Sequence, residues 1–314
     1  MFERGALAAM GTRFEIVAAG APASQLRASI EEALEEISLC HQRWSPFSPS
    51  SMLSQINRSQ GEGVAVDGLT MELLSQCQRW HGDTAGAFDP CVGHLLSERD
   101  PRRSGHEDSG ILKNASRDST FIGLANVEIN VAKNSIRLLQ PDLQLDLGAV
   151  AKGFAIDLAT DVLRDAGVPS AFLHGGNSSI STIGQPPGAS AWKVQLPQSS
   201  EVLELRDQSL AVSASKGQYA GEHLLNPLTG EWIDAESGGY WVRSKSAAEA
   251  DVWSTALTVN SGSSESIKFS MPDDMDWGPL RMATSSNTNE KTSKVSVVKS
   301  DHWSFLPTES EDKI

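Results

Sequence analysis

The stretch LDLGAVAKGFAID (Leu145–Asp157) places one lysine, Lys152, inside a turn of small residues between an alternating segment and a helical one. Gly148, Ala149, Ala151 and Gly153 let backbone approach a ligand. Amides at a helix start attract an anion, and Lys152 adds a full positive charge. That combination suits a phosphate or diphosphate, although the spacing is neither that of a P-loop nor G-x-G-x-x-G. A tight turn with a solvated lysine fits the same residues. In ADVWSTAL (Ala250–Leu257), Asp251 and Thr255 stand four apart on one helix face. Oxygens on neighbouring turns can share a hard cation such as Mg²⁺, which also favours substrate phosphates; an ordinary acid near a helix start is the plainer alternative. GAFDP (Gly86–Pro90) offers Asp89 to a ring N–H or a ribose hydroxyl, or to its own loop as an Asx turn. HGGN (His174–Asn177) follows a strand with Gly175 and Gly176, which permit positive φ or close approach to a ligand. HLLNPLTG (His223–Gly230) holds His223, a general base if it faces a cleft and a structural histidine otherwise. The chain has no G-x-S-x-G, no H-E-x-x-H and no zinc-like Cys/His array.

The elements that must position these groups are readable in outline. A strand is expected over Thr12–Gly20 after a Met-Gly turn, then an amphipathic helix from Ser24 to Trp44 carrying Leu26, Ile30, Leu34, Ile37 and Trp44. Ser45–Asn57 reads as a Ser/Pro-rich loop with one helical turn, Thr70–Trp80 as a helix, and Ala85–Leu96 as a compact loop. Residues 97–120 are polar and read as an exposed insertion. Strands joined by turns are expected from Val127 to Asp146, and a helix from Ala149 to Ala166 with Val150, Phe154, Leu158 and Val162 on one side. SAFLHGGNSSISTIG reads as strand, glycine turn and strand; AWKVQLP and SLAVSAS as strands; Ala247–Val259 as a helix. GPLRMAT and KVSVVKS are strand-like, and the last residues form a loose tail. This imperfect alternation favours an α+β layered fold over a doubly wound one.

With 314 residues the chain can bury a sizeable core, and 39% hydrophobic with 21% charged residues is ordinary for a globular protein. A net charge of −14 argues against a general nucleic-acid binder. Cys40, Cys77 and Cys91 are odd in number with no C-x-x-C pair, so free thiols are expected rather than a disulfide framework. No stretch approaches a membrane span, and the opening residues lack a signal-peptide or lipoprotein pattern, so a cytoplasmic protein is expected.

Taken in order, MGTRFEI, FSPSSMLSQIN, GAFDPCVG, LDLGAVAKGFAID, HGGN, HLLNPLTG and ADVWSTAL resemble the ApbE family of FAD:protein FMN transferases, from about Met10 to about Val259. The resemblance implies an ApbE-like α+β fold related to the tunnelling fold, with helices layered on mixed or antiparallel sheets. It implies a flavin transferase domain over 1–260 and a divergent segment over 261–314. It also implies Mg²⁺-dependent transfer of the FMN half of FAD to a Thr or Ser hydroxyl of a target protein, with AMP released. By motif position, Met10, Phe47, Asn57, Ala87, Phe88, Asp89, Gly148, Lys152, Gly175, Gly176 and Leu225 would contact FAD. Asp251, Thr255 and the Ala151 carbonyl would hold Mg²⁺, and His223, with Lys152, would serve transfer. An acceptor protein bearing a D-x-x-(S/T)-G-A-(S/T) pattern would be the partner. The chain departs from the family at Asn226 and Leu228, where Asp and Arg are usual, at Met52 in place of Glu, and at SASKG (Ser213–Gly217) in place of Thr-Ser-Gly. These changes cluster near the transfer site, which leaves FAD hydrolysis to FMN and AMP, or flavin binding without turnover, as alternatives.

Overall fold

The first two strands form a hairpin whose turn decides its backbone. Strand β1 (Phe2–Ala9) pairs antiparallel with β2 (Thr12–Ala19), Ala9 facing Thr12. Met10 and Gly11 close it with φ of 48° and 70°, the twist that a two-residue hairpin turn needs. The Met10 N–H donates to His41 Nδ1 at 3.2 Å. Strand β1 was not expected from sequence: FERGALAA holds no β-branched residue to mark it. The computed structural model describes residues 1–99, 123–140, 142–197, 199–215, 224–234, 237–263 and 266–280, with short strands at 298–299 and 304–305.

Helix α1 (Ala23–Trp44) buries Leu26, Ile30, Ala33, Ile37, Cys40 and Trp44 along one stripe, as its apolar spacing requires. Helix α2 (Met52–Asn57) is capped by Ser51, whose Oγ accepts from the Ser54 N–H. After β3 (Val64–Ala65), Asp67 caps α3 (Gly68–Asp83) by accepting from Thr70. The expected loop at 85–96 instead holds a 3-10 turn over Pro90–Val92 and the start of α4 (Gly93–Arg99). Most of the expected 97–120 insertion lies outside the described residues. Strands β4 (Val127–Asn130) and β5 (Ser135–Leu138) follow.

The strand expected to end at Asp146 is not one. Leu143, Leu145 and Leu147 alternate inward and are buried, but no strand pairs with them. The Asn57 side chain takes the place of a neighbouring strand: its Nδ2 donates to the Leu145 carbonyl at 2.9 Å and its Oδ1 accepts the Leu145 N–H at 2.8 Å. The Asp146 N–H then donates to the Pro90 carbonyl at 2.7 Å, and the Gly93 N–H to the Gln144 carbonyl at 3.0 Å. Local alternation survives while the ladder is replaced by a side chain and a turn. Asn57→Ala should therefore destabilise the chain by about 2 kcal/mol, because it orphans both polar groups of a buried residue. Asn57→Asp, which keeps the acceptor but sets a carboxylate oxygen against the Leu145 carbonyl, should cost at least as much at pH 7; urea unfolding of both variants measures this.

Helix α5 (Ala151–Asp165) buries Phe154, Ala155, Ile156, Ala159 and Leu163; Leu158 and Val162, expected on the inner side, are only partly covered. Strands β6 (Ser170–Gly175) and β7 (Ser179–Ile183) flank the glycine turn as expected, followed by β8 (Trp192–Gln195), β9 (Val202–Leu205), β10 (Ser209–Ala214) and β11 (Gly239–Ser244). Helix α6 (Ala247–Gly262), β12 (Asp276–Pro279), β13 (Val298–Lys299) and β14 (Ser304–Phe305) complete the order. The loose tail expected at the end lies outside the described residues.

Strands β1-β2-β6-β7-β10-β11-β12 make one seven-stranded antiparallel sheet; β13-β14-β8-β9 and β3-β5-β4 make two smaller ones. Helices α1, α5 and α6 pack against one face of the large sheet, around Phe14, Ile16, Phe154 and Ile156. The opposite face meets the β8–β9 sheet through Phe172, Ile180, Trp192, Leu205, Leu210 and Val212. Strand β6 is buried along its whole length, with Ala171, Phe172 and Leu173 as its apolar run between the buried polar Ser170 and His174. The fold is α+β with antiparallel sheets, as the sequence led one to expect. All three cysteines are free and buried, and burial holds the Cys40 thiol up to about 12.

Candidate functional site

Two helices cross at a glycine, and the site grows from that crossing. A Cβ on Gly153 would stand 2.6 Å from the Ala248 Cα and closer still to the Ala247 carbonyl. Only a hydrogen fits there, so α5 and α6 touch backbone to backbone. One turn further along α5, the Asp157 carboxylate caps α6 from outside. It accepts the N–H groups of Ala247 at 2.7 Å and Ala248 at 2.9 Å and the Ser246 hydroxyl at 2.7 Å. Four residues on from Ala247, Asp251 turns back to α5. Its Oδ2 accepts the Gly153 N–H at 2.9 Å, and Ser179 Oγ on β7 donates to its Oδ1 at 2.7 Å. Asp251 is buried, and desolvation lifts its carboxyl to about 6, against the opposing pull of the nearby Lys152 charge and of the Ser179 and Gly153 hydrogen bonds.

Beside this crossing lies a cavity of about 340 Å³. Asp251 and Thr255 of α6 line it, together with Gly148 and Lys152 from the start of α5, the Ala87–Asp89 loop, and Leu225. Lys152 is tethered by donating from Nζ to the Gly148 carbonyl at 3.1 Å. Asp89 accepts the Cys91 N–H of its own loop at 2.8 Å and the distant Leu124 N–H at 3.2 Å, with His81 Nδ1 of α3 at 3.3 Å from Oδ2. The Asx turn and the place in the cavity are thus both true of Asp89.

The other expected contacts lie elsewhere. Met10 sits in the first hairpin turn, Phe47 is half-exposed, and Asn57 is engaged with Leu145; none of the three lines the cavity. Gly175 and Gly176 also stand outside it: a Cβ on Gly175 would strike the Phe14 ring, and one on Gly176 the Thr12 side chain. Close packing against Phe14 and Thr12 of β2 asks for glycine at both positions. Ala151 is buried as the first residue of α5, next to Lys152. His223 falls outside the described residues.

Sequence reading missed four groups. Asp146 is buried, lines the cavity, and accepts the Gly148 N–H at 2.8 Å; the spacing D-x-G was its signal. Asp157 gave none beyond its place at the end of the glycine–lysine stretch. Ser179 and Ser213 reach the site from strands distant in sequence; Ser179 carries no local mark, and Ser213 is marked only as the start of SASKG.

Asp89, Asp146 and Asp251 set three carboxylates around the cavity against the single lysine among its lining residues. A diphosphate would be repelled there unless a cation came with it. The described residues contain no group of three or more His, Cys, Asp or Glu side chains placed for a metal. One buried carboxylate and one hydroxyl lining the same cavity nevertheless fit Mg²⁺, which keeps few protein ligands and completes its shell with water and substrate phosphates.

The family model for ApbE matches residues 10–272. The chain belongs to the ApbE family. It is 27% identical over 265 residues to the FAD:protein FMN transferase of Chlamydia muridarum, covering 78% of this chain and 79% of that one. It is 27% identical over 274 residues to that of Vibrio cholerae, covering 80% and 79%. Among solved structures, the flavin transferase ApbE of Vibrio cholerae superposes with a TM-score of 0.68 at 25% identity over 82% of this chain and 87% of that one. An ApbE protein from Thermotoga maritima gives 0.70 at 24% identity over 84% and 88%, which speaks for the shared α+β fold.

Proposed function

We propose that this ApbE-family protein is an FAD:protein FMN transferase that needs Mg²⁺ and works with the residues gathered at the α5–α6 crossing. The supporting observation is the convergence on one cavity of Gly148 and Lys152 from the start of α5 with Asp251 and Thr255 from successive turns of α6. The relatives' shared activity, covering most of both chains, supports the same reading.

In that reaction the acceptor hydroxyl attacks the phosphorus of the FMN half. A new phosphoester bond forms, the bond to the bridging oxygen of the diphosphate breaks, and AMP leaves while the hydroxyl proton departs. Little covalent work falls to the protein, so positioning and charge neutralisation carry the rate. Gly148 offers room for a diphosphate beside its backbone, and Lys152 offers a cation held at the same turn. Asp251, Thr255 and the Ala151 carbonyl would hold Mg²⁺, which supplies charge neutralisation on the diphosphate when bound. His223 is assigned to accept the acceptor's proton. Asn226 keeps the turn that an aspartate would make there: its Oδ1 accepts the Leu228 N–H at 2.9 Å, while its Nδ2 donates to Ser263 at 2.9 Å. The first departure from the usual family pattern therefore leaves the local geometry of its loop intact.

Lys152→Ala should weaken FAD binding about tenfold or more and leave riboflavin, which has no phosphate, nearly unaffected. Fluorescence titration of both flavins measures this, and equal losses would make Lys152 structural. The function itself is tested by AMP release from FAD and Mg²⁺, with and without a peptide carrying D-x-x-(S/T)-G-A-(S/T). Release that depends on the peptide supports transfer. Peptide-independent release would make the protein an FAD hydrolase, and no release despite bound FAD would make it a flavin-binding relative.

A further inference from the structure

Between Thr255 and the backbone of α6 runs a chain of hydroxyls with one defined end. Ser254 Oγ donates to the Asp251 carbonyl at 3.1 Å. A carbonyl only accepts, so with the single Ser254 proton on it Ser254 Oγ is left to accept. Ser213 Oγ, on β10, lies 2.9 Å from Ser254 Oγ and 3.2 Å from Thr255 Oγ1. Either hydroxyl of each pair can donate; with Ser254 bonded to the carbonyl, Ser213 donates to Ser254 and accepts from Thr255. The order Thr255 to Ser213 to Ser254 to the Asp251 carbonyl turns the Thr255 proton toward β10. The lone pairs of Thr255 are left for the cavity that Thr255, Ser213 and Asp251 all line. Thr258, one turn along, makes the usual helical choice and donates to the Ser254 carbonyl at 2.8 Å. Its hydroxyl also lies 3.1 Å from the Ser213 carbonyl, which fixes β10 against α6 at a second point. Gly239 on β11 leaves room for this approach, since a Cβ there would stand 2.7 Å from the Ala214 Cα.

We propose that Ser213 is a positioning residue for cation binding: it relays the Thr255 proton away from the cavity and so presents Thr255 Oγ1 as an acceptor-only oxygen beside the Asp251 carboxylate. This rests on the metal reading given above. Ser213 belongs to the SASKG stretch, where the sequence leaves the usual family pattern, and no role follows for it from the motif alone. A hydroxyl free to rotate would spend part of its time pointing a proton at the cation. Partners that orient a ligand typically change metal affinity by about 10–100-fold when removed.

The test is titration of Mn²⁺ alone into the full chain, with free Mn²⁺ read by electron paramagnetic resonance, and FAD affinity measured separately in chelator. Ser213→Ala and Ser254→Ala should each weaken Mn²⁺ binding about tenfold. The double variant should be no weaker than either, because both break one chain. Ser213→Thr should restore binding, and FAD affinity in chelator should stay at the wild-type value in all variants. Wild-type Mn²⁺ affinity in Ser213→Ala, or additive losses in the double variant, would overturn the relay while leaving the metal site standing. Absence of Mn²⁺ binding by the wild-type protein would overturn the metal reading, and the relay with it.

Discussion

Asp251→Asn is expected to lower AMP release from FAD about a hundredfold or more and, in metal-free buffer at pH 7, to leave the chain more stable than the wild type. The loss follows from removing the carboxylate proposed above to hold Mg²⁺ at the α5–α6 crossing, where charge neutralisation would carry the reaction. The gain follows from linkage. In the folded chain the Asp251 carboxyl is raised from 3.8 to about 6, so the folded state prefers it protonated. Its contribution to stability is complete below about pH 4 and is lost as pH rises through 6. At pH 7 the ionised group costs the fold on the order of 1–3 kcal/mol. An asparagine keeps the shape and escapes that cost: its Oδ1 can accept the Gly153 N–H, and its Nδ2 can donate to Ser179, whose hydroxyl is free to reverse. Urea unfolding at pH 4 and pH 7 checks the sign. The variant's advantage should appear at pH 7 and vanish at pH 4, and saturating Mg²⁺ should favour the wild type. A variant less stable than wild type at pH 7 without metal would mean that the Gly153 and Ser179 bonds outweigh desolvation.

Gly153→Ala should have the second large effect, on stability and activity together. The new methyl would overlap the backbone of Ala247 and Ala248, which no side-chain rotation relieves. The helices must separate, at a cost of about 3 kcal/mol or more. Separation also strips Asp251 of the Gly153 N–H and shifts Asp157 from the N–H groups it caps. Activity should therefore fall by about two orders of magnitude even where the variant is still folded, because a displacement of about 1 Å suffices for such a loss. Thermal unfolding and AMP release on the same sample measure both, and a tolerated alanine would show that the crossing is looser than the geometry says.

Gly153 also shows where sequence reading reaches its limit. In the sequence it looks like one more glycine that admits a phosphate, because it neighbours Lys152. Its need for a bare Cα comes from α6, nearly a hundred residues away, and nothing local encodes that. The amphipathic helices α1, α3 and α5 were legible because one stripe of each is buried. Helix α6 was legible as a helix but not as a buried one: Ala250, Val252, Trp253, Ala256 and Leu257 are covered on all sides, so no polar face marks how deep Asp251 lies. The segment from Leu143 to Leu147 kept the alternation of a strand although its partner is the Asn57 side chain. Of the residues that line the cavity, Gly148, Lys152, Asp89, Asp251 and Thr255 stand in stretches whose residue types admit a ligand beside a plainer structural role, and Leu225 was named through the family resemblance alone. Asp157, Ser179 and Ser213 bond across the fold; nothing around Asp157 or Ser179 hints at this, and SASKG marks Ser213 only as part of a departure from the family pattern.

The most direct test of the account is the intact mass of an acceptor peptide after incubation with FAD, Mg²⁺ and the full chain, with AMP quantified in the same tube. The account predicts that the peptide gains one FMN less one water on its Thr or Ser, with one AMP per modified peptide, and that Asp251→Asn yields neither. AMP without modified peptide, or modification undiminished in Asp251→Asn, would contradict it.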